Sequence, residues 1–279
     1  ADTIMKRLPS VFEIGKNFAN VDCTKEPIPV VPTIHYQMGG IPTNVHGQVV
    51  APKNGNPSNV VNGFYAVGEC SCVSVHGANR LGTNSLLDLI VFGRAAGNHI
   101  VQTALKEKAH KPLPADAADG ALARLAKLDA STSGEYAQDV ANDLRASMQK
   151  HAGVFRTQAM LDEGVQQVMA IDARAASLHL KDKSKVFNTA RVEALEVANL
   201  MEAAKATIVS AAARKECRGA HTVVDYEETA DHPERPNGRD DKVWMKHTLW
   251  FSEGNRLEYK PVNLKPLSVE SIPPKVRTF

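Results

Sequence analysis

The sequence has no run approaching the roughly 18–20 apolar residues that a membrane-spanning helix needs. Its longest apolar stretch, residues 86–92, is short and broken by Asp88. The opening Ala1-Asp2-Thr3-Ile4-Met5-Lys6-Arg7 lacks an apolar core of the kind a signal peptide carries, so none is expected. Cysteine is scarce: Cys23, Cys70, Cys72 and Cys217 are the only four. Cys70 and Cys72 form C-x-C, not C-x-x-C, with no second pair nearby, which excludes a zinc site or a redox disulfide of the usual spacing. Reduced structural thiols in a soluble protein of a reducing compartment are the expectation. Neither sign of charge dominates, with 33 Lys and Arg against 31 Asp and Glu. A basic stripe for nucleic acid is therefore not expected. No G-x-G-x-x-G follows any strand-like run, and residues 115–217 contain no proline.

What is present divides the chain by composition. Up to about residue 105 the sequence is mixed and rich in glycine. Apolar positions over residues 1–19 fit a helical stripe that Pro9 divides into two helices. The three prolines at 27, 29 and 32 demand an extended segment. Short strand-like runs follow at 33–36, 47–51 and 63–68, the last reading as the best buried strand, with 52–59 as a hairpin tip. From Asn84 or Ser85 the period becomes helical and continues to about Lys106. The proline-free stretch reads as a set of helices. Its clearest member spans 187–217, where Val197, Met201, Ala204, Ile208 and Ala211 alternate spacings of four and three. Beyond Arg218 glycine, proline and charge return, with strands at 243–251 and 256–262 around Glu253-Gly254-Asn255. The fold class is α+β, but the strands before residue 106 are too few for a self-sufficient sheet and would leave open edges and an uncovered face.

The densest chemistry lies in His76-Gly77-Ala78-Asn79-Arg80-Leu81-Gly82-Thr83-Asn84-Ser85-Leu86. An imidazole, an amide and a guanidinium fall within five residues on a loop entering a helix N-terminus, where backbone N–H groups present donors and positive potential. Ser85 or Asn84 reads equally as the helix N-cap. The planar fork of Arg80 suits a carboxylate held in bidentate geometry, or a salt bridge to Asp88 or Glu69. His35 stands at a strand end before Gly39-Gly40, a pair that suggests close backbone approach. Glu69 follows a strand, where an acid commonly takes hydroxyl donors from a cofactor sugar.

Three blocks carry a resemblance that covers the whole chain in order: residues 35–43, residues 63–69 and residues 74–88. Arg218-Gly219-Ala220-His221, Trp244-Met245-Lys246-His247-Thr248-Leu249 and the closing Pro273-Pro274-Lys275-Val276-Arg277-Thr278-Phe279 continue it. Together they resemble the succinate dehydrogenase and fumarate reductase flavoproteins, in their carboxy-terminal half. The resemblance implies a tail of the capping domain with its linker at 1–32, the C-terminal part of an FAD-binding domain at 33–106, a helical domain at 107–217 and a small mixed cap at 218–279. It implies FAD, with Glu69, Ser85 and Leu86 as cofactor-binding residues, and succinate or fumarate bound through His35 and Arg80. No metal ligands are implied. The proton-transferring arginine and the histidine that carries FAD covalently fall outside the matched segment, so no catalytic residue is assigned and the isolated fragment is expected to be inactive. The implied partners are an iron–sulfur subunit and membrane anchor subunits, with electrons leaving for quinone and no nucleic acid. The implied location is peripheral, on the cytoplasmic face of the inner membrane or the mitochondrial matrix side. Fumarate reduction is the alternative activity, and a non-catalytic helical interaction module is the alternative from another class.

Overall fold

A computed structural model describes residues 2–31, 33–106, 112–227, 235–265 and 268–275. Two compact units, residues 1–37 and 38–279, make up the chain. In the first, helices α1 (Asp2–Arg7) and α2 (Pro9–Ala19) meet at Pro9. Proline at the first position of a helix loses no hydrogen bond, because that N–H has no intrahelical acceptor. The second helix ends at Asn20 in the left-handed conformation, φ 54°, and Val21 N donates to Gly15 O at 3.0 Å. Asp22 then accepts from Thr24 N at 3.1 Å and Thr24 Oγ1 at 2.6 Å. These bonds, with Lys25, hold its carboxyl down at about 2. The strand expected at 33–36 is absent: those residues form neither helix nor strand. The β-rich composition of 33–36 finds no partner strand among the described residues.

The second unit contains strands β1 (Ile41–Pro42), β2 (Gln48–Val50), β3 (Val60–Tyr65), β4 (Ser71–Cys72), β5 (Lys246–Phe251) and β6 (Arg256–Pro261). They pair as three two-stranded sheets: β1 with β4 parallel, β2 with β3 antiparallel, and β5 with β6 antiparallel. The open edges expected from the sequence are therefore present. The expectation of a buried strand at 63–68 is not met. The strand runs from Val60 to Tyr65, Phe64 is 52% exposed, and burial begins only at Ala66 and Gly68. A two-stranded ribbon has no second layer to cover its outer face.

Helices α3 (Asn84–Gln102), α4 (Asp119–Ala130), α5 (Ala137–His151), α6 (Gln158–Ala175), α7 (Thr189–Ala213) and α8 (Asp241–Trp244) supply the rest. The core lies among α5, α6 and α7. Val140 and Leu144 face Leu161, Val168 and Ile171, with Val197, Met201, Ala204 and Ile208 completing it. Each fully buried side chain of this size contributes about 1.5–3 kcal/mol through removal from water. Gly164 fixes the closeness of the three helices. A Cβ there would lie 2.5 Å from His151 Cβ and 3.0 Å from Ile208 Cδ1. Thr157 Oγ1 accepts from Met160 N at 3.2 Å and Asn188 Oδ1 from Arg191 N at 2.8 Å, capping α6 and α7.

In the last segment the strand expected at 243–251 begins only at Lys246. Asp240 accepts from Val243 N at 3.1 Å and winds 241–244 into the short helix α8. Glu216, 0% exposed, ties this segment to the end of α7. It accepts from Arg214 at 2.6 Å, from Arg218 at 2.7 and 2.9 Å, and from Asp240 N at 2.9 Å.

Candidate functional site

The chain reaches the site through a tight turn after β3. Gly68, φ 83°, takes its carbonyl back to Ser71, accepting from Ser71 N at 2.9 Å and Ser71 Oγ at 2.8 Å. A Cβ on Gly68 would lie 2.5 Å from Leu89 Cδ2, so the turn packs directly on α3. Glu69 stands exposed on that turn. Gly40, φ 121°, meets the same segment from the other side: a Cβ there would lie 2.5 Å from Cys70 O, and Ile41 N donates to that carbonyl at 2.9 Å. The close approach expected of Gly39-Gly40 is thus made to the protein's own backbone, by Gly40.

The 74–83 loop leads into α3 through left-handed residues at Ser74 (φ 78°), Gly77 (φ 58°) and Thr83 (φ 66°). A β-branched threonine in this region costs of order 1–3 kcal/mol and is a mark of functional loops. Thr83 occupies the N-cap position of α3, correcting the expectation of Ser85 or Asn84, which are already helical. Its hydroxyl donates to Gly82 O at 2.6 Å, so no side chain caps the helix start. Ser85 is half-buried and Leu86 is 62% exposed on this first turn. Along α3 only Asp88 and Ala96 are buried, and Ile90 is 68% exposed.

Asp88, a candidate ion-pair partner for Arg80, is engaged by His76 instead, Nε2 to Oδ2 at 3.1 Å. Arg80 is half-buried, with Nη1 donating to Leu81 O at 3.4 Å. Arg80, Glu69, Ser85 and Leu86 all belong to the second unit, and the Gly68–Leu89 contact sets the Glu69 turn beside the early turns of α3. His35 is exposed on an irregular segment of the first unit.

Sequence reasoning missed a second support of the loop. Ala78 O accepts from Ala220 N at 3.1 Å, bringing the Arg218–His221 turn against the loop. Arg156 is buried under that turn, with Nε donating to Thr222 O at 3.1 Å and Nη2 to Ala220 O at 3.4 Å. Burial lowers its pKa. His221 donates through Nε2 to Arg214 O, 3.0 Å away. Burial, with Arg156 and Arg214 adding positive charge, pushes the imidazole down to about 4. The glycine in Arg218-Gly219-Ala220-His221 was the available signal, since only close backbone approach or a positive φ calls for it.

Chemically the assembly offers the positive end of a helix with no side-chain cap, where Asn84 N and Leu86 N already donate to Leu81 O and Thr83 O. It adds an exposed carboxylate acceptor on the adjoining turn and a guanidinium on the loop between. Those groups fit FAD, which brings hydroxyls for a carboxylate and polar ring and phosphate oxygens for the helix end. All four cysteines are free, and the described residues include no cluster of His, Cys, Asp and Glu fit for a metal ion. No described helix is long and apolar enough to cross a membrane.

Comparison with known proteins agrees with this chemistry. Residues 1–86 match the FAD binding domain family, and residues 141–279 match the family described as fumarate reductase flavoprotein C-term. The succinate dehydrogenase flavoprotein subunit of Coxiella burnetii is 45% identical over 274 residues, 98% of this chain and 45% of that protein. The corresponding subunit of Rickettsia bellii is 46% identical over 283 residues, 100% of this chain and 46% of that protein. A solved chain of E. coli quinol fumarate reductase superposes with TM-score 0.79 at 34% identity, covering 97% of this chain and 43% of its own. The chain therefore spans about half the length of the curated relatives it matches. With two family matches and relatives at this identity along its whole length, it belongs to the succinate dehydrogenase and fumarate reductase flavoprotein family, whose cofactor is FAD.

Proposed function

We propose that this chain forms the carboxy-terminal half of a flavoprotein subunit that oxidises succinate to fumarate. The observation that carries the reading is the juxtaposition of Arg80 with the uncapped start of α3. Arg80 binds one carboxylate of the substrate in bidentate fashion and turns a C–H bond toward the cofactor. His35 binds the other carboxylate. Glu69 accepts hydrogen bonds from the hydroxylated chain of FAD, while Ser85 and Leu86, at the positive end of α3, hold its ring and pyrophosphate side. FAD, when bound, supplies the acceptor for the hydride. No residue of 1–279 is given the accompanying proton, so turnover by residues 1–279 alone is not expected.

The domain boundaries proposed are a capping-domain tail and linker at 1–32, part of the FAD-binding domain at 33–106, a helical domain at 107–217 and a cap at 218–279. Residues 107–111, at the second boundary, and the final 276–279 lie outside the described residues. The proposed partners are an iron–sulfur subunit and membrane anchors that carry electrons to quinone, with the flavoprotein peripheral on the cytoplasmic or matrix side. The word subunit in the relatives' names supports such an assembly. Fumarate reduction is the second reading, favoured by the likeness to the E. coli quinol fumarate reductase chain.

The test is anaerobic titration of the holoenzyme containing this chain. Succinate is expected to bleach the flavin absorbance and yield fumarate stoichiometrically. Flavin that stays oxidised in succinate would sink the first reading, and steady-state rates in both directions decide between the two.

A further inference from the structure

The loop that carries Arg80 is braced by a turn from the opposite end of the chain. Ala220 N donates to Ala78 O at 3.1 Å, and the contact leaves no room for adjustment. Gly219 has φ 59°, and a Cβ built on it would lie 2.5 Å from Ala78 O, 2.6 Å from Ala78 C and 2.8 Å from Ala78 Cβ. These are backbone and Cβ atoms, so a side chain at 219 must displace the Ala78 peptide itself.

The turn, by contrast, is held on its other sides. Arg218 N donates to His221 O at 2.7 Å and His221 N to Arg218 O at 3.0 Å. Arg218 is fixed by Glu216 and by Asp241 Oδ1 at 2.8 Å. Arg156 donates to Ala220 O and Thr222 O, and its own carbonyl accepts from Val224 N at 3.0 Å. When two surfaces are pressed together and one is clamped, the other yields. Here the surface that moves is the Ala78 peptide of the 74–83 loop, two residues before Arg80.

We propose that Gly219 is a positioning residue for substrate binding: its bare backbone, held by Arg156, sets where the Ala78 peptide sits and hence where Arg80 meets the dicarboxylate. The inference rests on the assignment of Arg80 to a substrate carboxylate. It extends the determinants of substrate binding to a turn outside the residues assigned to substrate or cofactor, and it gives the buried Arg156 a role beyond packing.

The experiment compares two glycines of like conformation in the holoenzyme. Gly254 has φ 68° but nothing within 4 Å of a built Cβ, so Gly254→Ala carries the backbone strain of Gly219→Ala without the collision. Succinate kinetics, binding of malonate (a dicarboxylate that cannot be dehydrogenated between its carboxylates) and flavin content are measured for each. Gly219→Ala is expected to raise KM for succinate and Kd for malonate about tenfold, with a smaller fall in kcat and unchanged flavin content. Gly254→Ala is expected to leave KM and Kd at wild-type values. Equal KM and Kd in the two variants overturn the proposal while leaving the functional reading intact. A wild-type holoenzyme that neither oxidises succinate nor binds malonate overturns the functional reading itself. Should Gly219→Ala give no holoenzyme, Arg156→Lys is read in the same way, because it weakens the clamp without adding bulk. A several-fold rise in KM and Kd supports the proposal and wild-type values overturn it. Failure of both variants to assemble also overturns it, since the turn would then serve the fold alone.

Discussion

His76 and Asp88 face each other across the entrance to α3, imidazole Nε2 to carboxylate Oδ2 at 3.1 Å, with Asp88 only 4% exposed. The pair closes the 76–83 loop onto the second turn of the helix that follows it. A buried carboxylate left without its partner, or an imidazole left without its carboxylate, costs more than the pair contributes. Asp88→Ala is accordingly expected to destabilise the protein by about 2–3 kcal/mol. Asp88→Asn, which can still accept from the imidazole, is expected to lose less. Denaturant midpoints measure both, and a wild-type midpoint for Asp88→Ala would remove the pair from the account of the loop.

The same pair shows what the sequence could and could not convey. The start of α3 at Asn84 was legible because an apolar 3.6-residue period begins there after Gly82-Thr83. So was α7, whose buried Val197, Met201, Ala204 and Ile208 follow the expected spacing. The partner of Asp88 was not legible: the sequence offered Arg80, and His76 on the same loop took the place. The cap of α3 was misjudged for a related reason. Serine and asparagine are preferred caps, but a threonine forced to φ 66° took the position and turned its hydroxyl elsewhere. Phe64 read as buried because aromatic and β-branched residues mark strands, yet nothing among the described residues covers that face of the ribbon. The Ala78–Ala220 contact joins residues far apart in the chain, and no local pattern announces such a pairing.

Acid sensitivity should concentrate at His221. Its folded pKa, pushed down to about 4 by burial and by the positive charge of Arg156 and Arg214, lies below the ordinary histidine value of 6.5. Glu216 opposes the shift. The unfolded chain therefore binds a proton at His221 between pH 6.5 and 4 while the folded protein does not. The contribution is complete above pH 6.5 and is lost progressively as pH falls toward 4. It amounts to on the order of 2 kcal/mol after allowing for partial exposure. His247, lowered by burial and by Lys260 and Arg214, adds to the same slope. Urea unfolding at pH 7.5, 6 and 5 should show the fall, and His221→Gln should flatten it. An unchanged slope in that variant would refute the assignment.

The ion cluster around Glu216 is expected to behave as a unit. One carboxylate with no exposure serves Arg214, Arg218 and the Asp240 amide, and Arg214 also donates to Trp244 O at 3.0 Å and Lys246 O at 2.7 Å. Glu216→Gln leaves two half-buried guanidinium groups short of their counter-charge, for an expected loss of about 3–5 kcal/mol. Because Arg218 anchors the turn against Ala78, the loss should be accompanied by weaker dicarboxylate binding. A variant as stable as wild type would reduce the cluster to a surface-like network.

Arg80 provides the most direct measure of the site. A bidentate carboxylate contact fixes both the affinity of the substrate and the angle at which its C–H bond is presented, so its removal should act on KM and kcat together. In the holoenzyme, Arg80→Ala is expected to lower kcat/KM for succinate by about 10²–10³-fold, through both parameters. Arg80→Lys keeps the charge but not the fork and should recover only part of the loss. His35→Ala should show a milder defect, about tenfold and confined largely to KM, since one point contact holds less orientation than a paired one. The contrast decides the roles. Equal defects in KM alone would make both residues simple carboxylate anchors, while unchanged kinetics in Arg80→Ala would reduce that arginine to a structural group of the loop.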